Sequence, residues 1–315
     1  MRVVVIGAGL AGLVAAGDLV RAGVEVVVVD KGRSPGGRLA TRRIGGARLD
    51  HGAQFFTVRT PAFRARVEDW ASRGLVRIWT NGFDGDDGHP RYIAVDGMTA
   101  LAKDLAVGID VRCSTMAFAV RAAESQATHR WDVVIDDASR QSADVVIVTC
   151  PLPQAFALLV DTGIDLDEGP FRTDYDRTIG LLAVLDGPSA VPAAGGVQVG
   201  DATFSFVADN FAKGVSEIPA LTLHANPEWS EEHWSDDDQV LLERLEREAQ
   251  PWLGTANIVE RELKKWRFAT PRQVVSDPCW RNDDGTIILA GDAFAGPRVE
   301  GAHNSGLAAA HAILD

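Results

Sequence analysis

Residues 2–30 read RVVVIGAGLAGLVAAGDLVRAGVEVVVVD, and their order decides the fold. A β-branched run, Val3–Ile6, leads into Gly7-Ala8-Gly9-Leu10-Ala11-Gly12. A helical stretch follows, and a second β-branched run, Val26–Val29, stops at Asp30. Strand, G-x-G-x-x-G, helix and strand in this order form the first unit of a Rossmann-type dinucleotide-binding domain. Gly7 permits the tight turn, Gly9 lets backbone N–H groups approach a pyrophosphate, and Gly12 lets the helix pack against the sheet. The first helical turn, with Leu10 and Ala11, aims unpaired N–H groups and the positive dipole end at the phosphates. Asp30, eighteen residues past Gly12, stands where a carboxylate accepts hydrogen bonds from ribose hydroxyls.

Further along the chain, other segments fit the same ligand. Lys31 adjoins Asp30, and Gly36-Gly37-Arg38 exposes backbone N–H groups beside a guanidinium that can neutralise phosphate. In Asp50-His51-Gly52-Ala53-Gln54-Phe55-Phe56, the small Gly52 and Ala53 can let a flat ring lie close, and Gln54 can bond a ring or substrate edge. Val145–Thr149 is a continuous apolar run, as expected of a parallel strand covered on both faces. Thr286–Ala290 is a similar run and delivers Gly291-Asp292 at its end, where the carboxylate suits a ribityl or ribose chain. Glu300, Gly301 and Ala302 then open a last helix whose N-terminus can face developing negative charge on a cofactor.

The whole chain narrows the function classes. It has 315 residues, 46% hydrophobic and 24% charged, with a net charge of −13. That balance argues against nucleic acid and anionic membranes as partners. The three cysteines, Cys113, Cys150 and Cys279, are odd in number and far apart, which suits a reducing, cytoplasmic setting. No run is long and apolar enough to predict a membrane span. The seven histidines show no paired ligand spacing, so no metal site is expected, and G-x-S-x-G, H-E-x-x-H and Walker motifs are missing.

Periodicity predicts a loop over 31–46, a helix over 61–73 and a helix from near Met98. Strands are expected over 109–121, 131–136, 143–149, 178–185, 203–208, 219–224, 257–267 and 286–290, and a last helix over 301–314. Ser235 to Leu253 reads as an amphipathic helix with a Ser235/Asp238 capping box, and Val240, Leu241, Leu242 and Leu245 inward. Rossmann-like strands at both ends, with antiparallel material between, predict an α/β (α+β overall) chain. A discontinuous nucleotide domain is expected over 1–56, 96–152 and 280–315, with an inserted substrate domain over 57–95 and 153–279.

Several of these segments carry a family resemblance. GAGLAG with Asp30, PGGR at 35–38, DHGAQFF at 50–56, VDGMTAL at 95–101, KWRFA at 265–269, and GDAF at 291–294 with RVEGAHNSGLAAA at 298–310 occur in that order. The sequence resembles the renalase-like branch of the flavin amine oxidase superfamily over most of its length. The resemblance implies a p-hydroxybenzoate-hydroxylase-like fold that binds FAD without a covalent link. It also implies hydride transfer from isomeric dihydronicotinamides, 2- or 6-dihydroNAD(P), to flavin N5, with O2 reoxidising the flavin to give H2O2. Phe55 and Phe268 stand at positions where such proteins vary.

That chemistry asks little of the side chains. The donor must stack over N5 at about 3–3.5 Å, be oriented, and be kept from water. No general base is required. Gln54, Phe55, Asn210, His224 and Trp266 are the candidates to face substrate, and Arg267 can pair with a phosphate or an acid such as Glu300. Two alternatives stay open: an FAD-dependent oxidase or dehydrogenase of an amine or another small or hydrophobic substrate, and a flavin-binding redox sensor without turnover.

Overall fold

The computed structural model describes residues 1–124, 127–164, 173–294 and 296–315. In chain order it begins with β1 (Arg2–Ile6), α1 (Leu10–Arg21), β2 (Glu25–Val29), β3 (Thr41–Ile44), β4 (Ala47–Asp50), α2 (Pro61–Ser72), β5 (Val76–Thr80) and β6 (Arg91–Ala94). Next come α3 (Thr99–Leu105), β7 (Asp110–Arg112), β8 (Ala117–Ala122), β9 (Trp131–Ile135), β10 (Arg140–Ala143), β11 (Val145–Val148) and α4 (Leu152–Leu159). Then follow β12 (Tyr175–Leu185), β13 (Gly196–Gln198), β14 (Phe204–Asp209), β15 (Ala220–Ala225), α5 (Pro227–Glu232) and α6 (Asp238–Leu253). The chain closes with β16 (Ile258–Pro271), β17 (Trp280–Arg281), β18 (Ile287–Leu289) and α7 (Val299–Leu314).

Two compact units result. The first comprises Met1–Gly37, Leu101–Asp174 and Pro271–Asp315, and the second Arg38–Ala100 and Tyr175–Thr270. These boundaries differ from those expected. Residues 38–56 fold with the second unit, because Ile44, Ala47 and Leu49 of the β3–β4 hairpin bury against Leu182 and Val184 of β12. Residues 271–279 fold with the first, where the Val275 amide donates to the Ala293 carbonyl.

The first unit is built on a six-stranded sheet in the order β17-β18-β11-β1-β2-β7. The β1 strand pairs in parallel with both β2 and β11, β11 with β18, and β2 with β7. Only β17 runs antiparallel, at the edge. Val3, Val4, Val5, Val28, Val146 and Ile147 are fully buried, as the unbroken β-branched runs require of strands covered on both sides. Each such side chain contributes about 1.5–3 kcal/mol on burial. Leu13, Ala16 and Leu19 of α1 close one core with Ala309 and Ala310 of α7. The helices approach so closely that a Cβ on Gly306 would overlap the Ala11 carbonyl. A separate antiparallel sheet, β10-β9-β8, completes the unit.

The second unit centres on a five-stranded sheet, β13-β14-β15-β12-β16. One face packs Ile179, Leu181, Leu221 and Leu223 against Leu241, Leu245, Ala249 and Leu253 of α6. The opposite face receives the β3–β4 hairpin. Two local expectations change here. Asp237, not Ser235, caps α6, its carboxylate accepting from the amides of Gln239 (2.9 Å) and Val240 (3.3 Å). The buried stripe therefore follows i, i+4 spacing from Leu241, and Val240 is 46% exposed. The expected loop also ends early, because Gly45 and Gly46, with φ of +52° and +88°, turn β3 into β4. Positive φ at both central residues is the requirement of a tight hairpin turn. Among the described residues no helix is long and apolar enough to cross a membrane.

Candidate active site

In the first unit the G-x-G-x-x-G turn lies at the C-terminal end of β1, between β11 and β2, where the strand order reverses. Ligands of open parallel sheets bind at such a point. The three glycines differ in what holds them. Gly7 has φ +112°, and a Cβ there would press on Thr149 Oγ1. A Cβ on Gly12 would overlap the Gly7 carbonyl. Gly9 has an ordinary extended conformation, φ −76° and ψ 179°, and a Cβ there would meet nothing within 4 Å. The fold thus explains two of the glycines, and the third keeps open space in front of α1. That helix also has no side-chain cap at Gly9, so no side chain competes for the amides of its first turn, Leu10 to Gly12.

The expected partners gather around this turn. Asp30 accepts from the Ala8 amide (2.6 Å) on one oxygen and the Gly32 amide (2.6 Å) on the other, leaving each oxygen a lone pair. The Gly36 amide donates to the Ala8 carbonyl (2.9 Å), and the Gly37 backbone folds against Gly9. Lys31 is exposed beside them. Two strands along, Gly291 (φ +146°) follows β18, its amide donating to Ser305 Oγ (2.9 Å), and Asp292 is half-buried. Glu300 and Gly301 are buried in the first turn of α7, with Ala302 half-buried. A polar surface cavity of about 520 Å³ is lined by Arg112, Ser114, Thr115 and Gln141. The Thr115 amide bonds to the Asp30 carbonyl. Open space at Gly9, uncapped amides and the Asp30 carboxylate at the end of β2 together fit a dinucleotide.

The second unit holds the remaining candidates. Arg38 Nη1 donates to the Ala269 carbonyl (3.1 Å). Gln54 is buried, and its amide nitrogen donates to the carbonyls of Asp50 (2.7 Å) and Gly52 (3.2 Å). Its Oε1 is buried without a partner. The His51 carbonyl accepts from Trp266 Nε1 (2.7 Å) and pairs with His224 Nε2 (3.1 Å), which requires the Nε2–H tautomer of His224. The His51 and Trp266 rings stack at 5.4 Å and 20°. Burial, with the Lys264 charge adding to it, holds the His51 pKa down to about 3, and burial holds His224 down to about 4. Both rings are neutral at neutral pH.

Asn210 requires a correction. It is fully buried, its carbonyl accepting from the Asp50 amide (3.2 Å) and its amide donating to Thr222 Oγ1 (3.0 Å). It tethers the Asp50 loop to the sheet, its side chain taken up by protein partners. The same tether includes Lys213, fully buried, whose ammonium lies 2.8 Å from Asp50 Oδ2. Asp50 Oδ1 accepts from Thr41 Oγ1 (2.7 Å) and the Met98 amide (2.8 Å). Phe55 joins Trp79, Phe83 and Phe206 in a cluster with centroids 5.1–6.5 Å apart. Lys213, Lys264, Trp79 and Phe206 are additions to the candidates named from sequence. Period-two spacing along β16 puts Lys264 on the Trp266 face, a local signal. Lys213 had none, being 163 residues from its partner.

A mostly parallel sheet with a glycine turn at its switch point, in a chain that also holds an antiparallel unit, defines a nucleotide-binding fold of mixed α/β class. Residues 5–70 match the NAD(P)-binding Rossmann-like domain, and residues 71–314 match flavin containing amine oxidoreductase. The chain belongs to the flavin containing amine oxidoreductase family; it is an FAD-dependent oxidoreductase. Over 58 residues it is 47% identical to hydroxyneurosporene desaturase of Rubrivivax gelatinosus, covering 18% of this chain and 11% of that protein. Over 81 residues it is 50% identical to phytoene dehydrogenase of Streptomyces griseus, covering 24% and 16%. The matches thus span less than a fifth of these curated relatives. The fold is similar to a putrescine oxidase bound to putrescine (TM-score 0.71, 16% identity, 100% and 99% of the chains covered). It is also similar to an oxidoreductase from Methanosarcina mazei (TM-score 0.65, 13% identity, 98% and 99% covered). At these identities the likeness is one of fold.

Proposed function

We propose that this chain is a renalase-like oxidase that returns 2- or 6-dihydroNAD(P) to NAD(P)+, with O2 as final acceptor and H2O2 as product. Bound FAD supplies the two-electron acceptor and passes the electrons to O2. In this reading Gly9 and the first-turn amides of α1, Leu10 to Gly12, take the pyrophosphate, with Gly7 shaping the turn. Asp30, beside Lys31, takes the ribose. Gly37, Gly291, Asp292, Glu300, Gly301 and Ala302 of the first unit complete the cofactor contacts. The first unit serves as the FAD-binding domain and the second as the substrate domain. Gln54, Phe55, His224 and Trp266 orient the donor, and Gln54 Oε1, buried without a partner, is a ready acceptor for a carboxamide N–H.

The observation that carries this reading is the placement of two histidines: His51 is buried and stacked on Trp266, and His224 is bonded through Nε2 to the His51 carbonyl. With pKa values near 3 and 4, neither is a useful proton acceptor at neutral pH. A dihydronicotinamide needs none, because it is already a hydride donor. A protonated amine must first lose a proton. One observation favours a second reading, an oxidase of a hydrophobic ring substrate: the Phe55, Trp79, Phe83 and Phe206 rings are only half-buried and offer apolar surface.

Anaerobic rapid mixing decides between them. Fast bleaching of flavin absorbance by 6-dihydroNAD or 2-dihydroNAD, with NADH and amines slow, is the expected result. A yellow protein indifferent to both isomers overturns the proposal.

A further inference from the structure

Lys264 lies on the same face of β16 as Trp266, its ammonium 4.8 Å from the indole centroid. It is half-buried, and among the described residues no carboxylate lies within ion-pair distance of it. The nearest acid on its strand, Glu262, is taken by Arg42 in a two-pronged pair (2.8 and 3.1 Å). The other ionisable neighbours carry no compensating charge. His51 and His224 are neutral, and Lys213 is matched by Asp50. Burial and the Arg42 charge push the Lys264 pKa down, and the Glu262 charge, already shared with Arg42, opposes them only in part. The Trp266 ring face offsets part of that charge, but a half-buried cation with no carboxylate in ion-pair reach still bears a desolvation cost. Gln54 Oε1, on the loop whose His51 carbonyl binds Trp266, adds a buried acceptor without a donor. A ligand with anionic oxygens would answer the first need, and one with an N–H the second.

We infer that Lys264, lying against Trp266, is an anion-binding subsite that selects a phosphate-bearing electron donor over a cationic or uncharged one. This rests on the dihydronicotinamide reading and adds a specificity-determining residue to it. A dinucleotide or mononucleotide donor offers phosphate oxygens and a carboxamide N–H together. An amine substrate would be repelled by the same ammonium.

The test compares 6-dihydroNAD with the corresponding phosphate-free riboside in the wild type, Lys264→Met and Lys264→Arg, all as FAD-loaded enzyme. Lys264→Met should lower the ratio of kcat/KM for dinucleotide over riboside by about tenfold, the size of one charge-assisted hydrogen bond. The loss should fall on KM, and Lys264→Arg should restore most of it. The wild-type KM for the dinucleotide should rise with salt, and that slope should flatten in Lys264→Met. An unchanged ratio overturns the inference. A second measurement needs no turnover: quenching of tryptophan fluorescence by inorganic pyrophosphate and by NAD+. If neither dihydro donor bleaches the flavin but pyrophosphate binding still depends on Lys264, the oxidase reading falls and the subsite stands. If the donors bleach it while the ratio and the pyrophosphate affinity ignore Lys264, the subsite falls and the oxidase reading stands.

Discussion

The G-x-G-x-x-G turn and the Asp50–Gln54 loop are both candidate ligand-binding segments, yet they are made in opposite ways. The turn offers backbone. Its polar groups are amides at an uncapped helix start, and the opening before them exists because Gly9 has no side chain. The loop offers side chains already committed to one another. Asp50 alone receives Lys213, Thr41 and Met98, and its own carbonyl receives Thr222 and Gln54. A backbone site is assembled by neighbours in sequence and is held by sterics. A side-chain site of this kind is assembled across the chain and is held by the pairing of most of its buried polar groups, Gln54 Oε1 and His51 Nδ1 being left over. Damage should therefore unfold the loop's surroundings before it abolishes binding, and should abolish binding at the turn before it disturbs the fold.

The largest effect is expected at Lys213. Truncation by Lys213→Ala leaves the Asp50 carboxylate buried with its counter-charge gone, at a cost of about 3–5 kcal/mol. Neutralising both partners, as Lys213→Met with Asp50→Asn, should recover much of that loss. Denaturant titration of the two variants beside the wild type measures it. A single-variant cost below about 1 kcal/mol, the level of an exposed pair, would mean that the network does not hold the loop.

At the turn the fold should survive and the cofactor should not. Gly9→Asp fills open space at a backbone conformation any residue adopts, so the melting temperature of the FAD-free protein should stay near wild type. FAD binding should weaken by at least about a hundredfold, or about 2.8 kcal/mol, because the new carboxylate caps the helix and repels phosphate. A variant that purifies fully yellow would remove Gly9 from the site.

How far each region could be read from sequence follows from the same contrast. The turn, β1, β2, β11, β18 and α7 were legible, because glycine spacing and unbroken valine runs are local and have one geometric reading. The β3–β4 hairpin went unread although Gly45-Gly46 signals such a turn; the flanking TRRI and ARLD are too polar to look like strands. Asn210 misled because its position at a strand end suits a ligand, whereas its partners, Asp50 and Thr222, are distant in sequence or on the next strand. Lys213 was invisible for the same reason. Its buried neighbourhood is a property of packing, which spacing does not encode.

The two histidines give a graded effect, small within the first pH unit below 6.5, since their folded pKa values lie below that unfolded value. Above that pH neither state binds the proton, and stability is at its full value. Below it the unfolded chain takes up protons that the folded chain refuses, so stability falls by at most about 1.4 kcal/mol per pH unit for each ring. His224 stops contributing near pH 4 and His51 near pH 3. Denaturation midpoints followed downward from pH 6.5 should therefore slope more steeply in the wild type than in His51→Gln with His224→Gln. Equal slopes would show that the rings titrate freely, and with that the argument from neutral histidines to a base-free oxidation would lose its support.

The smallest effect isolates the comparison in one chemical group. A carboxylate at a helix start is present at α6, where Asp237 accepts two amides, and missing at α1, where Gly9 leaves them uncapped. Removing it with Asp237→Ala should cost about 1 kcal/mol of stability and leave FAD affinity untouched. Adding it with Gly9→Asp should do the reverse, sparing stability and removing affinity. Helix amides are the same donors in both places, and the difference lies in what they are left free to bind. If Asp237→Ala also weakened FAD, or if Gly9→Asp destabilised the apoprotein as much as it weakened binding, then structural and ligand-binding helix starts would not be separable in this chain. The open space at Gly9 would then no longer count as a sign of function.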